Sequence, residues 1–297
     1  MDAGSSGLST SARICNTDTV QPRPLERRVY GYYGSTGQGK TQALKAKLRQ
    51  IRSQVAPGKR IGILALDPME QLKEWDGSTE HDDCSDVEFV AHSRREVLQY
   101  LNGIQPDESF SLAYVPPVDS HEPSELNFLA GVAWALGNVW LVIDEAHASC
   151  NHAAVQAGEI PNMVACVKRG RHRRINLIIA AQRPVDVSTL IRAETLADTT
   201  VYFRLVRHDD LRDVAAERGP EFARRVSSLP RLTCLVVTAD SIRSYRIIFD
   251  ARGRPWLVSV GKTADLGIRA ADRHEEAVAK YGQCPGCAYC AQNVHTE

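Results

Sequence analysis

Eight consecutive residues, Gly34-Ser35-Thr36-Gly37-Gln38-Gly39-Lys40-Thr41, have the types and order that cradle a polyphosphate. Gly34, Gly37 and Gly39 let the backbone curl with no Cβ in the way, so that successive N–H groups turn inward toward phosphate oxygens. Lys40 adds a point charge near the β- and γ-phosphates, and the Thr41 hydroxyl can ligate Mg²⁺. A second stretch supplies acid. Trp140-Leu-Val-Ile143 is apolar throughout and is followed at once by Asp144 and Glu145. An apolar strand ending in an acid is the form taken by a metal-holding strand end, with Asp144 reaching Mg²⁺ through water. Glu145 is then placed to polarise an attacking water, which hydrolysis requires and transfer to a bound acceptor does not. The alternative is an acid pair that caps the next helix.

A third stretch, Ile175-Asn-Leu-Ile-Ile-Ala-Ala181, runs into Gln182-Arg183-Pro184. Gln182 should emerge at the same sheet edge as Asp144, where a side-chain amide can sense the γ-phosphate or orient water. Just upstream, Lys168-Arg169-Gly170-Arg171-His172-Arg173-Arg174 carries five Lys or Arg in seven residues. Three roles stay open for it: a solvated helix end favoured by the helix dipole, an arginine finger for a neighbouring subunit's nucleotide, or a contact to the DNA backbone. Asp144-Glu145-Ala146-His147 also spells the box of one helicase superfamily. Such helicases need two motor lobes, and one phosphate loop in 297 residues leaves no room for a second. His147 therefore reads as an ordinary helix-start residue.

These groups need a scaffold that brings them to one edge. Arg28–Tyr33 reads as a strand entering the glycine loop, and Thr41–Ile51 as a helix leaving it, with Leu44, Leu48 and Ile51 on one face. That order sets a helix N-terminus at the phosphates. Further strands are expected at Arg60–Leu66, Val87–Ala91, Phe110–Val115 and Thr200–Val206. Helices are expected at Ser93–Leu101, Glu122–Leu136, His152–Lys168, Asp209–Arg218 and Pro220–Val226, and a closing antiparallel pair at Thr233–Thr238 and Ser244–Phe249. Such βα alternation predicts an α/β fold of RecA-like, doubly wound type, with a mostly parallel sheet.

The sequence divides into a Ser-, Thr-, Gly- and Pro-rich tail over 1–26, an ATPase domain over 27–250, an extension over 251–283 whose elements are ambiguous, and a cysteine-rich tail over 284–297. At 43% hydrophobic and 24% charged, the chain has the make-up of a soluble globular protein. Lys+Arg and Asp+Glu balance at 36 each, so nucleic-acid contact must come from a local patch and not from a global field. Leu129–Ile143 is too short to span a bilayer and contains Asn138, and residues 1–20 lack a signal peptide's apolar core. Eight cysteines, mostly scattered singly, fit a reducing compartment, and the expected location is the cytoplasm, or a virion if the chain is viral.

With those motifs in place, the chain resembles the FtsK–HerA superfamily of DNA-pumping ATPases. Three segments carry the resemblance: Gly34–Thr41, Leu141-Val-Ile-Asp-Glu145, and Asn176-Leu-Ile-Ile-Ala-Ala-Gln-Arg-Pro184 followed by Val185-Asp-Val-Ser188. The third is the most specific, together with the later Val201-Tyr-Phe-Arg-Leu205, and the similarity spans about 28–250 in order. Compact size and no membrane span bring it nearest to the genome-packaging ATPases of tail-less, membrane-containing viruses. The resemblance implies ATP as cofactor with Mg²⁺, and phosphate binding by Lys40 and Thr41. It further implies metal binding by Asp144, water activation by Glu145 and sensing by Gln182. It makes Arg171 the finger acting in trans, with Arg174 in reserve, and leaves Lys168, Arg169, Arg173 and Arg174 as candidates for contact with double-stranded DNA, without sequence reading. It implies a ring, expected to be a hexamer, and a capsid or portal-vertex protein as a partner. Zot-like assembly or secretion ATPases, which move protein, and non-motor ATP-binding assembly factors are the alternatives.

Cys284-Pro-Gly-Cys287-Ala-Tyr-Cys290, with His295 beyond, offers three thiolates and an imidazole, a set that could close a tetrahedral Zn²⁺ site. An unliganded tail is the other reading.

Overall fold

The computed structural model describes residues 27–53, 60–72, 86–250 and 253–260. The expectations for 1–26 and for the zinc set Cys284, Cys287, Cys290 and His295 lie outside the described residues.

The chain enters on strand β1 (Val29–Tyr33), turns through the glycine loop and runs into helix α1 (Lys40–Ser53). Then follow β2 (Gly62–Leu66), β3 (Phe89–Ala91), α2 (Arg94–Gly103), β4 (Phe110–Tyr114), α3 (Glu122–Leu136) and β5 (Val139–Ile143). Local chemistry sets the ends. The Ser93 hydroxyl accepts the Glu96 N–H at 3.2 Å and starts α2, while Gly137 at φ +60° lets α3 stop and turn into β5. A short α4 (Ala146–Ser149), α5 (His152–Gln156) and α6 (Pro161–Arg169) lead to β6 (Asn176–Ala181). The chain closes with α7 (Thr189–Ala197), β7 (Thr199–Tyr202), α8 (His208–Arg218), α9 (Pro220–Ser227), β8 (Thr233–Val237), β9 (Ile242–Phe249) and β10 (Pro255–Val260).

The ten strands form one sheet in the order β10-β9-β8-β7-β1-β6-β5-β2-β4-β3. From β7 across to β3 every pairing is parallel, and β8, β9 and β10 extend the other side antiparallel. This is the expected RecA-like α/β sheet with antiparallel closing strands. Its two faces are covered unequally. One buries Leu64, Leu66, Leu141, Ile143, Leu177 and Ile179 beneath α2, α3, α6 and α7. The other buries Ile63, Ala65, Val142 and Ile178 beneath Ala43, Leu44 and Leu48 of α1.

Three local expectations change. The single helix over His152–Lys168 is two, α5 and α6, because Gly158 takes φ +71° and Pro161 restarts the helix, its missing N–H costing nothing at the first position. Helix α7 follows Val185-Asp-Val-Ser188, where none was expected. The boundary at 250 falls inside a hairpin, since β10 pairs with β9 from Pro255↔Phe249 to Val260↔Ser244.

Candidate active site

The glycine loop leaves the C-terminal end of β1 and is held from the flank. Phe203 donates its N–H to Tyr33 O at 2.7 Å, and Ser35 donates to Arg204 O at 3.0 Å. A Cβ at Gly34 would stand 2.4 Å from the Phe203 Cβ, so glycine here is a packing requirement as well as a conformational one. Gly37 and Gly39 take φ +75° and +106°, which turn the loop over the N-terminus of α1. Lys40 is almost wholly buried, and burial lowers its pKa against the opposing pull of Glu145 and Asp144. Its Nζ donates to Ser35 O at 3.4 Å, so the ammonium lies folded into the loop where phosphate oxygens would sit.

The two acids leave the C-terminal end of β5, beside β6, which lies next to β1. Asp144 accepts the Thr41 hydroxyl at 3.4 Å, joining the two residues expected to hold Mg²⁺. Burial pushes the Asp144 carboxyl up to about 6, aided by repulsion from Glu145 and Asp67. Glu145 sits at φ 48°, ψ 42°, a left-handed backbone that a side chain seldom adopts, and strain of that kind gathers at functional sites. Its carboxylate accepts from Gln182 Nε2 at 3.2 Å, and Gln182 Oε1 accepts the Thr36 hydroxyl at 3.0 Å. The amide orientation follows from chemistry, because only the NH₂ end can donate to a carboxylate. One side chain therefore ties the phosphate loop to the second of the two acids after β5.

His147 has a part that the sequence did not reveal. Its Nδ1 lies 3.2 Å from Glu145 Oε2, within ion-pair range but outside hydrogen-bond alignment. The interaction raises the imidazole pKa and, with Lys40 and Gln182, lowers that of Glu145. The i, i+2 spacing gave a signal only once Glu145 was known to turn back on itself in a left-handed conformation.

The donor set suits Mg²⁺. Thr41 and Asp144 supply hard oxygens side by side and leave the remaining positions to water and phosphate, as this ion prefers. Among the described residues no three His, Cys, Asp or Glu are grouped to hold a metal by themselves.

The basic run lies elsewhere. It precedes Asn176 at the N-terminal end of β6, whereas Gln182 follows its C-terminal end. Six strand residues separate them by roughly 20 Å. Arg171 is exposed, as are Lys168, Arg169 and Arg174, and none of them reaches the phosphate loop of its own chain. Arg173 acts within the fold. Its guanidinium donates to Trp134 O and Ala135 O, both at 2.8 Å through Nη2, and so caps the last turn of α3.

The fold has counterparts among solved structures. The genome packaging NTPase B204 from Sulfolobus turreted icosahedral virus 2, in complex with AMPPCP, superposes with a TM-score of 0.53 at 16% identity, covering 73% of this chain and 96% of that one. The same NTPase with sulfate gives 0.52 at 17% identity, over 73% and 95% of the two chains. B204 described as the DNA-packaging ATPase from Sulfolobus turreted icosahedral virus gives 0.51 at 16%, over 73% and 96%. No family profile and no curated protein matches the sequence. Among the described residues, no helix is long and apolar enough to cross a membrane.

Proposed function

We propose that this chain is a Mg²⁺-dependent ATPase of FtsK–HerA type that moves double-stranded DNA, and that it works as a genome-packaging motor in a ring, taken as hexameric, with active sites between subunits. The bridge Thr36–Gln182–Glu145 carries the proposal, because it couples the loop that would bind the γ-phosphate to the acid that would activate water. The fold shared with B204 supports the packaging role, at the level of architecture. Mg²⁺, when bound, would screen the phosphate charge. The chain's own groups do the rest. Loop N–H groups and Lys40 hold the phosphates, the Glu145 carboxylate accepts the water's proton, and Gln182, bonded to its Oε2, holds that carboxylate in place. Arg171, on the far edge of the sheet, can stabilise the transition state only for a neighbour. This separation favours a ring, since the finger has no use within its own chain.

Substitution separates the roles. Lys40→Ala should abolish nucleotide binding. Glu145→Gln should keep binding and lower turnover by about 10²–10⁴-fold. Glu145→Gln at wild-type rate would remove Glu145 as the base. Arg171→Ala should lose turnover yet regain part of it in rings mixed with Lys40→Ala, which contributes an intact finger. An Arg171→Ala that turns over at the wild-type rate by itself, or one that loses turnover and regains none in the mixture, would leave no finger in trans.

A further inference from the structure

A third carboxylate at the same edge has no role in the scheme above. Asp67 follows β2 as Asp144 follows β5, and the two strands pair with Leu66 opposite Ile143. Asp144 donates its N–H to Leu66 O at 3.0 Å, so the register continues for one residue beyond the strands. Leu66 and Ile143 both face the layer of α2 and α3, and Ala65 and Val142 both face α1. Alternation therefore sends the next pair, Asp67 and Asp144, to the α1 side together. Neighbouring strands lie about 4.8 Å apart, which puts the carboxylates side by side below the phosphate loop.

Asp67 is 0% exposed, and only one of its oxygens is accounted for. Its Oδ2 accepts the Leu72 N–H at 2.7 Å and fastens the turn after Pro68, and the Gln71 N–H also favours the ionised carboxylate. Its Oδ1 is buried with no hydrogen-bond partner among the described residues. A buried, unmatched carboxylate oxygen is costly, and the turn explains only its twin. Nearby positive charge is modest: Lys45 lies on the same side, but its Nζ is 2.9 Å from Asp86.

We infer that Asp67 is a positioning residue for Mg²⁺, its Oδ1 accepting from a water of the ion's hydration shell next to the water or oxygen held by Asp144. This ion keeps several waters when it binds and needs acceptors for their protons, and a second carboxylate one strand away supplies one. The inference rests on the proposed nucleotide site, and its test separates the two.

Binding of a fluorescent ATP analogue should be titrated with Mg²⁺ for the wild type and for Asp67→Asn, which retains an acceptor for Leu72. The half-saturating Mg²⁺ concentration should rise about ten-fold in Asp67→Asn, as expected for a lost outer-shell partner, while affinity without Mg²⁺ stays level. A merely structural Asp67 would leave the Mg²⁺ midpoint unmoved, and that result overturns the inference. Should Asp67→Asn fail to melt cooperatively, Asp67→Ser, which also offers Leu72 an oxygen, replaces it in the same titration: a raised midpoint supports the inference and an unmoved one overturns it. A wild type that binds no nucleotide at all would instead sink the proposed function.

Discussion

Proton traffic at Glu145 is set by single residues. Protonated His147 stabilises the ionised carboxylate and so makes it a weaker base. As pH rises through the raised imidazole pKa, above the ordinary 6.5, the imidazole loses its charge and Glu145 becomes a better proton acceptor. Turnover should therefore climb over that window, and His147→Ala should shift the rising limb to lower pH in a pH–rate profile; an unchanged profile would deny the coupling. Stability follows the opposite trend. A raised imidazole pKa adds stability that is complete below 6.5 and lost as pH passes the folded value, so His147→Ala should lower the melting temperature at pH 6 and not at pH 9. Asp144 makes the larger contribution. Its carboxyl ordinarily titrates at 3.8 and in the fold at about 6, so stability falls as pH rises between those values and stays lower above them. The penalty at pH 8 is about 3 kcal/mol, and Asp144→Asn should raise the melting temperature there while losing Mg²⁺-dependent binding. The phosphate loop, Asp144, Glu145 and Gln182 were legible because each motif requires a residue type at a fixed spacing. His147 and Asp67 were not, although Ile63-Leu-Ala-Leu66-Asp67 repeats the apolar-run-then-acid form of Leu141-Val-Ile-Asp144. Only the strand order shows that these two acids are neighbours.

At the scale of elements, the glycine loop depends on strands that come much later in the chain. Phe203 beyond β7 and Leu232 before β8 pack on it, with Leu232 donating its N–H to Gln38 O at 3.2 Å. Gly34→Ala drives a Cβ into Phe203 and should cost about 1–3 kcal/mol, the usual cost of overpacking. Gly37→Ala meets no atom within 4 Å and carries only the strain of φ +75°, about 1 kcal/mol. Thermal melts of the two variants should rank in that order, and a Gly37→Ala that melts lower would mean that the loop is held differently. The parallel strands were readable because burial on both faces makes them continuous apolar runs. Helix α7 and strand β10 were missed for a common reason. Thr189–Ala197 buries little beyond Ile191 and Thr195, and in β10 the outward Trp256 and Val258 are as apolar as the inward-packed Leu257, so neither shows a strong period in the sequence. The break between α5 and α6 was signalled by Gly158 and Pro161, outweighed by the apolar positions on either side.

At the scale of the whole molecule, the sheet separates two chemistries. Its C-terminal edge gathers Lys40, Thr41, Asp144, Glu145 and Gln182, and its N-terminal edge presents Lys168, Arg169, Arg171 and Arg174 to solvent. A net charge of zero means that attraction to DNA must come from such a local basic edge. In the proposed ring, this edge would be the one turned toward a neighbour's nucleotide. The deciding measurement is the steady-state ATPase rate of the wild type, with Glu145→Gln as a blank, with and without long double-stranded DNA at low and moderate salt. A DNA motor predicts strong stimulation that weakens as salt rises, because contacts to phosphates release counterions. A rate that requires Glu145 but is indifferent to DNA at both salts would contradict DNA translocation and point to an ATPase that moves protein.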